Sequence, residues 1–168
     1  MNNESTIWIL GDDIDTDIII PTDYLALPTI DDMKQYAFSP LRPELAKNIK
    51  SGDVIVAGKN FGCGSSREQA PEIIKALGIR AVIAKSFARI FFRNSINNGL
   101  LLIENDQIQA DVKEGDTLTI EMNESIICKE KTYPITPLPD NLLEIIEEGG
   151  LVNAMRKKNG LPPLNAKF

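Results

Sequence analysis

The feature that most constrains the fold is a succession of apolar runs and breakers between Asp53 and Ile103. Val54-Ile55-Val56-Ala57 is a short continuous apolar run, and Gly58-Lys59-Asn60-Phe61-Gly62-Cys63-Gly64-Ser65-Ser66-Arg67-Glu68-Gln69 follows it. Ala70, Ile73, Ile74 and Leu77 then recur at helical spacing, and Gly78 supplies a C-terminal stop. Ala81-Val82-Ile83-Ala84 is a second apolar run, a second helical stretch comes next, and Gly99 precedes Leu100-Leu101-Leu102-Ile103. The order is strand, turn, helix, strand, helix, strand. Strands joined by helical crossovers must run parallel, with helices packed on a sheet face.

The glycine-rich turn is the candidate functional element. Its glycines open backbone angles closed to other residues and let a ligand approach the chain. Two hydroxyls and a guanidinium follow, where a helix start favours an anion. Ser65-x-x-Glu68 and Ser66-x-x-Gln69 both fit a capping box, so the sequence leaves the cap residue open. Pro71 fits only within a first helical turn. The spacing excludes a Walker phosphate loop, and Gly62-x-Gly64 lacks the third glycine of a dinucleotide fingerprint. A carboxylate- or phosphate-sized anion pocket remains, alongside the plainer reading of a capped helix after a flexible turn.

Composition excludes several kinds of chemistry. The chain of 168 residues contains no histidine, so a Ser-His-Asp triad, a His-ligated zinc and a His general base are impossible within it. Two cysteines, Cys63 and Cys128, are too few to hold an iron–sulfur cluster or to form a disulfide framework. A reducing, cytoplasmic setting is the expectation. Net charge of −6 argues against nucleic acid, and no apolar run reaches the ~20 residues of a membrane span. The N-terminus, with Asn2-Asn3-Glu4, lacks the basic start of a signal peptide. The length fits one domain spanning residues 1–168.

Outside the central segment, Thr6–Leu10 reads as a strand, and Asp12-Asp13-Ile14-Asp15-Thr16-Asp17 as a dense acidic loop. Ile18 stands where a calcium loop needs glycine and Tyr24 where it needs glutamate, so the loop reads as a turn whose carboxylates accept nearby N–H groups. One of them can also face the glycine-rich pocket. Tyr24-Leu25-Ala26-Leu27 is an apolar patch, either packing at the core edge or a pocket wall. Residues 31–50 read as short helices broken by Pro40 and Pro43. Ser86 is predicted to cap a helix carrying Phe87, Ile90, Phe91 and Asn94 on one side, with Arg89 and Arg93 four apart on a common face. Residues 112–135 alternate as short antiparallel strands, Pro134, Pro137 and Pro139 mark a connection, and Asn141 to Lys158 forms two helices around Gly149-Gly150.

Gly62-Cys63-Gly64-Ser65-Ser66-Arg67-Glu68 and Ala84-Lys85-Ser86-Phe87-Ala88-Arg89-Ile90-Phe91-Phe92-Arg93-Asn94-Ser95 resemble the swivel domain of the aconitase superfamily. With Asp12–Ile18, nearly the whole chain is similar to the separate small subunits of isopropylmalate dehydratases, in their compact form. That resemblance implies an α/β fold, a three-layer β/β/α swivelling domain with a mostly parallel central sheet. It implies a hydro-lyase that isomerises a hydroxy-dicarboxylate by losing and regaining water, in leucine biosynthesis. It also implies a large-subunit partner that carries the 4Fe–4S cluster and the histidines, with no metal or cofactor held by this chain. Self-association of small subunits is left open.

By position in the motif, Ser65 matches the proton-abstracting serine, Ser66 a substrate hydrogen-bonding residue, and Arg67 the clamp on a substrate carboxylate, with Gly64 beside them. Asp17 matches the acid of a Thr-Asp pair near the active site. Gln69 stands where the family more often has histidine. Cys63 reads as turn packing, without a thiol role. Tyr24, Leu25, Ala26 and Leu27 match the substrate-specificity loop; homoaconitase-like relatives carry arginine at the position of Ala26. An apolar substituent is then the expected cargo, with isopropylmalate and dimethylmalate both fitting, citraconate and homoaconitate as further candidates, and a non-catalytic anion-binding module as the alternative outside enzymes.

Overall fold

The computed structural model describes residues 3–164. Seven strands form one sheet: β1 (Glu4–Ile9), β2 (Val54–Ala57), β3 (Ala81–Ala84), β4 (Leu101–Glu104), β5 (Thr117–Glu121), β6 (Ser125–Cys128) and β7 (Lys131–Pro134), in the order β4-β3-β2-β1-β5-β6-β7. The strands from β4 to β1 pair in parallel, with Ile55 opposite Trp8 and Val82, and Ile83 opposite Ile103. From β1 to β7 the pairing is antiparallel. The sheet is therefore a parallel half with a three-strand antiparallel extension, the latter formed by the segment expected to alternate as short antiparallel strands. The reason is local. Between β5, β6 and β7 the chain offers only tight turns around Asn123 and Lys129, both at positive φ, and turns that short join antiparallel neighbours.

Strand alternation divides the interior into two cores. Ile55, Ala57, Val82, Ala84 and Leu102 face one core, while Val54, Val56, Ala81, Ile83, Leu101 and Ile103 face the other. The first core is closed by helices: α1 (Thr16–Ile19), α2 (Ile30–Lys34), α3 (Leu45–Asn48), α4 (Gln69–Ala76) and α5 (Arg89–Asn97), through Ile19, Met33, Leu45, Ile73, Ile74 and Phe91. The second is closed by the inner faces of the antiparallel strands, Leu118, Ile120, Ile126, Cys128 and Tyr133, with Ile108 of α6 (Ile108–Asp111). Helices, parallel strands and antiparallel strands thus form the three layers of a β/β/α arrangement. Helices α7 (Asp140–Glu147) and α8 (Leu151–Lys158) follow, meeting at Gly149-Gly150 as expected. Among the described residues no helix is long and apolar enough to cross a membrane.

Three local expectations are corrected. Thr16–Ile19, whose first two residues read as the end of an acidic loop, is a helical turn, because Asp15 caps it by accepting from Ile18 N at 2.9 Å. Pro134 is part of β7 and not of a connection; β7 is an edge strand, where a missing N–H is tolerated. Ser86 does not cap α5. A parallel bridge between Phe61 and Phe87 keeps residues beyond β3 extended, and the helix begins only at Arg89.

Polar contacts fasten the layers. Arg42 lays its fork on Glu114 at 2.5 and 3.0 Å, and Glu114 also accepts from Ile9 N. The half-buried Lys75 donates to the Asn98 and Gly149 carbonyls, bridging the C-terminal ends of α5 and α7. Tyr133 is buried, donates to Asp111 at 2.9 Å, and has its phenol pushed up to about 12, chiefly by burial and then by the Asp111 carboxylate. The fold therefore favours the neutral phenol. This contribution is intact below the unfolded value of about 10 and is lost as pH rises from there towards 12. Tyr133→Phe is expected to be less stable than the parent by ~1 kcal/mol near neutrality, with the gap closing above pH ~10 as the parent alone is penalised. Denaturant midpoints measured across that range check it.

Candidate active site

The site grows from the carboxyl ends of the parallel strands, where the loops after β1 and β2 lie side by side and prolong the ladder. Gly58 N donates to Gly11 O (3.0 Å), Asp13 N to Lys59 O (2.8 Å), Gly62 N to Ile14 O (2.7 Å) and Thr16 N to Cys63 O (2.9 Å). The loop after β3 joins on the other side, with Phe61 N on Ser86 O, Ala88 N on Phe61 O, and Asn60 N on Ser86 Oγ. Ser86, expected as a helix cap, is thus a fastener of the glycine-rich turn.

Glycine is required where this stack is tightest. Gly62 has φ of +84°, and a Cβ there would lie 2.1 Å from the Phe91 ring. The acidic residues serve as the acceptors expected of a turn. Asp12 Oδ1 takes Lys59 N at 2.7 Å, Asp13 Oδ1 takes Asn60 Nδ2 at 3.1 Å, and Asp15 caps α1.

This scaffold carries a cleft of about 210 Å³. One wall is Gly64, Ser65, Ser66 and Arg67, with Thr16 behind them; the other is Ala88 to Phe91 with Asn94, at the start of α5. Gly64, Ser65 and Ser66 are exposed. Thr16 is buried and donates its hydroxyl to Ser65 O at 2.8 Å, fixing the serine backbone. Arg67, only 13% exposed in its side chain, donates Nη1 to Ile20 O (2.7 Å) and Nη2 to Thr22 Oγ1 (2.8 Å), and pairs with Asp17 Oδ1 at 2.6 Å. Asp17 is 62% exposed. Among the described residues these three acceptors engage the guanidinium, so two of its five N–H donors remain for a ligand.

Ser65, Ser66, Arg67 and Gly64 are therefore brought together, and Asp17 reaches them through Arg67. The neighbouring Thr16-Asp17 pair is explained residue by residue, one holding Ser65 and the other Arg67. Neither serine is the cap of α4, however. That helix starts at Gln69 after Glu68, because Arg67 N turns back onto Ser65 O and the helical path begins only beyond it. Pro71 is in its first turn, as expected.

The helix N-terminus that opens into the cleft is that of α5. The N–H groups of Arg89, Ile90 and Phe91 have no protein acceptor among the described residues. Sequence reasoning noted Arg89 and assigned it no site role. Ile90 was placed on the apolar face of its helix, yet it is 57% exposed at the cleft. The available signal was positional: Ala88 to Asn94 start a helix right after a parallel strand.

The structure does not bring Tyr24, Leu25, Ala26 and Leu27 into the cleft lining. Tyr24 stacks on Tyr36 at 4.0 Å, Leu25 and Leu27 pack on the helical core, and Ala26 is exposed. Their link to the site is Thr22, just upstream, which accepts from Arg67. The Cys63 thiol is pushed up, first by burial and then by Asp15 and Asp13, away from thiolate chemistry. Among the described residues no group of three or more His, Cys, Asp or Glu side chains could hold a metal ion.

A β/β/α domain with a Gly-Ser-Ser-Arg turn at the carboxyl end of its parallel strands defines an aconitase-type swivel domain, and residues 31–108 match the Aconitase C-terminal domain family. A small subunit of 3-isopropylmalate dehydratase from Lachnospira eligens is 73% identical over 155 residues, covering 92% of this chain and 94% of the relative. A methanogen homoaconitase small subunit from Methanothermobacter thermautotrophicus is 45% identical over 150 residues, covering 88% and 86%. The crystal structure of 3-isopropylmalate dehydratase from Methanocaldococcus jannaschii superposes with a TM-score of 0.87 at 44% identity, covering 93% of this chain and 94% of that one. The chain belongs to the family of 3-isopropylmalate dehydratase small subunits. A small subunit of that kind acts with a large one.

Gly62→Ala is expected to cost roughly 3 kcal/mol, from strain at positive φ and the collision with Phe91. Gly115→Ala, also at positive φ but with nothing within 4 Å of the new Cβ, is expected to cost about 1 kcal/mol. Chemical denaturation of the two variants checks the difference.

Proposed function

We propose that this chain, acting as a single domain, supplies half of the active site that interconverts 2-isopropylmalate and 3-isopropylmalate in leucine biosynthesis. The observation that carries the reading is that Ser65, Ser66 and Arg67 line one cleft while Thr16 and Asp17 hold them in place. Ser65 Oγ, as an alkoxide, takes the proton from the carbon next to a carboxylate. The C–H electron pair forms the double bond as hydroxyl leaves the neighbouring carbon; addition of water in the opposite sense completes the isomerisation.

A free hydroxyl is far too weak an acid for this, so its surroundings must favour the anion. Arg67, the N–H groups of the glycine-rich turn and the open N-terminus of α5 supply that field. Ser66 and the two remaining N–H donors of Arg67 hold a substrate carboxylate, for which a guanidinium suits better than an ammonium. Asp17 is a positioning residue for Arg67.

The 4Fe–4S cluster of the reaction is assigned to the large subunit. With two cysteines and no histidine, this chain lacks the donors to hold it, and none of its own steps runs through it. The partner also supplies the second proton for the departing hydroxyl. Substrate choice is assigned to Tyr24 to Leu27, which lie outside the cleft lining of this chain and reach it through Thr22 and Arg67. Ala26 leaves an additional distal carboxylate without a partner, which disfavours homoaconitate, and tolerates an isopropyl group. The pair works in the cytoplasm. Val152, Met155, Leu161 and Leu164, exposed near the C-terminal helix, are the surface available for self-association when the partner is absent.

The reading is tested by anaerobic reconstitution with the large subunit. The chain alone is expected to be colourless and inactive, and the pair to dehydrate 3-isopropylmalate in preference to homoaconitate. Ser65→Ala is expected to assemble normally and lose on the order of 10³-fold in kcat; full turnover by that variant overturns the assignment. Asp17→Asn is expected to lower kcat/KM by about tenfold, mainly through KM, while the unfolding midpoint hardly moves because so exposed an ion pair contributes little.

A further inference from the structure

We propose that Arg89 is a second carboxylate-binding residue, which makes the cleft a site for dianions. The proposal rests on the reading above that the cleft takes a hydroxy-dicarboxylate, and it adds the group that holds the second carboxylate.

Arg89 heads α5 on the wall facing Ser65 and Arg67, and its side chain is exposed. Among the described residues it has no carboxylate, carbonyl or aromatic partner. The other arginine of the cleft is the opposite case, with Ile20, Thr22 and Asp17 all engaged. A cation beside a 210 Å³ cleft, held by none of the described protein groups, is a donor awaiting an acceptor.

The charges agree. The chain carries a net charge of −6, yet the cleft lining has no acidic side chain and two arginines. Asp17 neutralises much of Arg67, so without Arg89 the site would present scarcely any net positive charge to a substrate bearing two negative ones. Arg89 supplies the balance, and the unsatisfied N–H groups of the first turn behind it add to the same potential. Asn94, lining the cleft one turn further along, adds a neutral donor on the same wall. The two guanidiniums thus have separate duties. Arg67 holds the carboxylate beside the carbon that loses or regains its proton, and Arg89 takes the other, so that one carbon at a time is presented to Ser65.

The test uses the reconstituted pair and compares Arg89→Gln, Arg89→Lys and, as a control outside the cleft lining, Arg93→Gln. Arg89→Gln is expected to raise KM for 3-isopropylmalate about 10- to 100-fold with kcat changed less than about threefold. Arg89→Lys is expected to recover part of that loss, and Arg93→Gln to match the parent. A competing dicarboxylate, malonate, is expected to lose affinity in Arg89→Gln, while the monocarboxylate isobutyrate is unaffected. An unchanged KM and malonate affinity in Arg89→Gln overturns the proposal. So does a weakened affinity for the large subunit with normal KM once that subunit is saturating, which would make Arg89 a docking residue. Turnover by the parent pair and its loss in Ser65→Ala report on the function proposed above. If the pair prefers another dicarboxylate, the same comparison is made on that substrate, so the two readings fail separately.

Discussion

Everything in the site hangs on hydrogen bonding between backbone loops that continue a parallel ladder past the end of its strands. β1 and β2 stop being strands at Ile9 and Ala57, yet their chains stay in step through Gly11 and Gly58, Asp13 and Lys59, Ile14 and Gly62, and Thr16 and Cys63. The third strand joins through Phe61 and Ser86. Loops with their polar groups paired in this way hold a geometry that free loops would sample only in passing. This is how an exposed serine and a mostly buried arginine come to share one rigid wall.

The same stack sets the electrostatics. Four aspartates in six residues would repel the anion proposed for the neighbouring cleft if they pointed inward. Instead Asp12, Asp13 and Asp15 are consumed as acceptors for N–H groups of the two loops, and Asp17 is tied to Arg67. Their charges stabilise the scaffold while the cleft lining stays free of carboxylates. The pairing with Asp17 also orients Arg67 and leaves two N–H groups unused, so the guanidinium is held without being saturated.

A chain without histidine that presents serine and arginine at an exposed cleft holds only part of a dehydration site. The fold is consistent with that division. The second core, between the two halves of the sheet, is filled by residues such as Tyr133, Cys128 and Ile126, none of which lines the cleft. The cleft residues proposed for the chemistry all stand on loops and at the start of α5, on the helical side of the sheet.

Much of this was written in the sequence. Continuous apolar runs at Val54–Ala57 and Ala81–Ala84, with a helix between them, pointed to the parallel half, because strands joined by helical crossovers run parallel. The Gly-Ser-Ser-Arg turn marked the cleft, and the lack of histidine and shortage of cysteine excluded a His-ligated zinc and an iron–sulfur cluster held by this chain alone. Long-range contacts were beyond it. No local pattern says that Phe61 pairs with Phe87 and delays α5, that Ser86 holds a backbone N–H 26 residues away, or that the helix end opening into the cleft is that of α5 and not α4. Nor could it say that Tyr24 to Leu27 pack on the core and leave the cleft lining to Ile90 and Arg89. Residue type and spacing determine which elements form and what chemistry is possible; which of them meet depends on packing between segments far apart in the chain, and that only the tertiary structure decides.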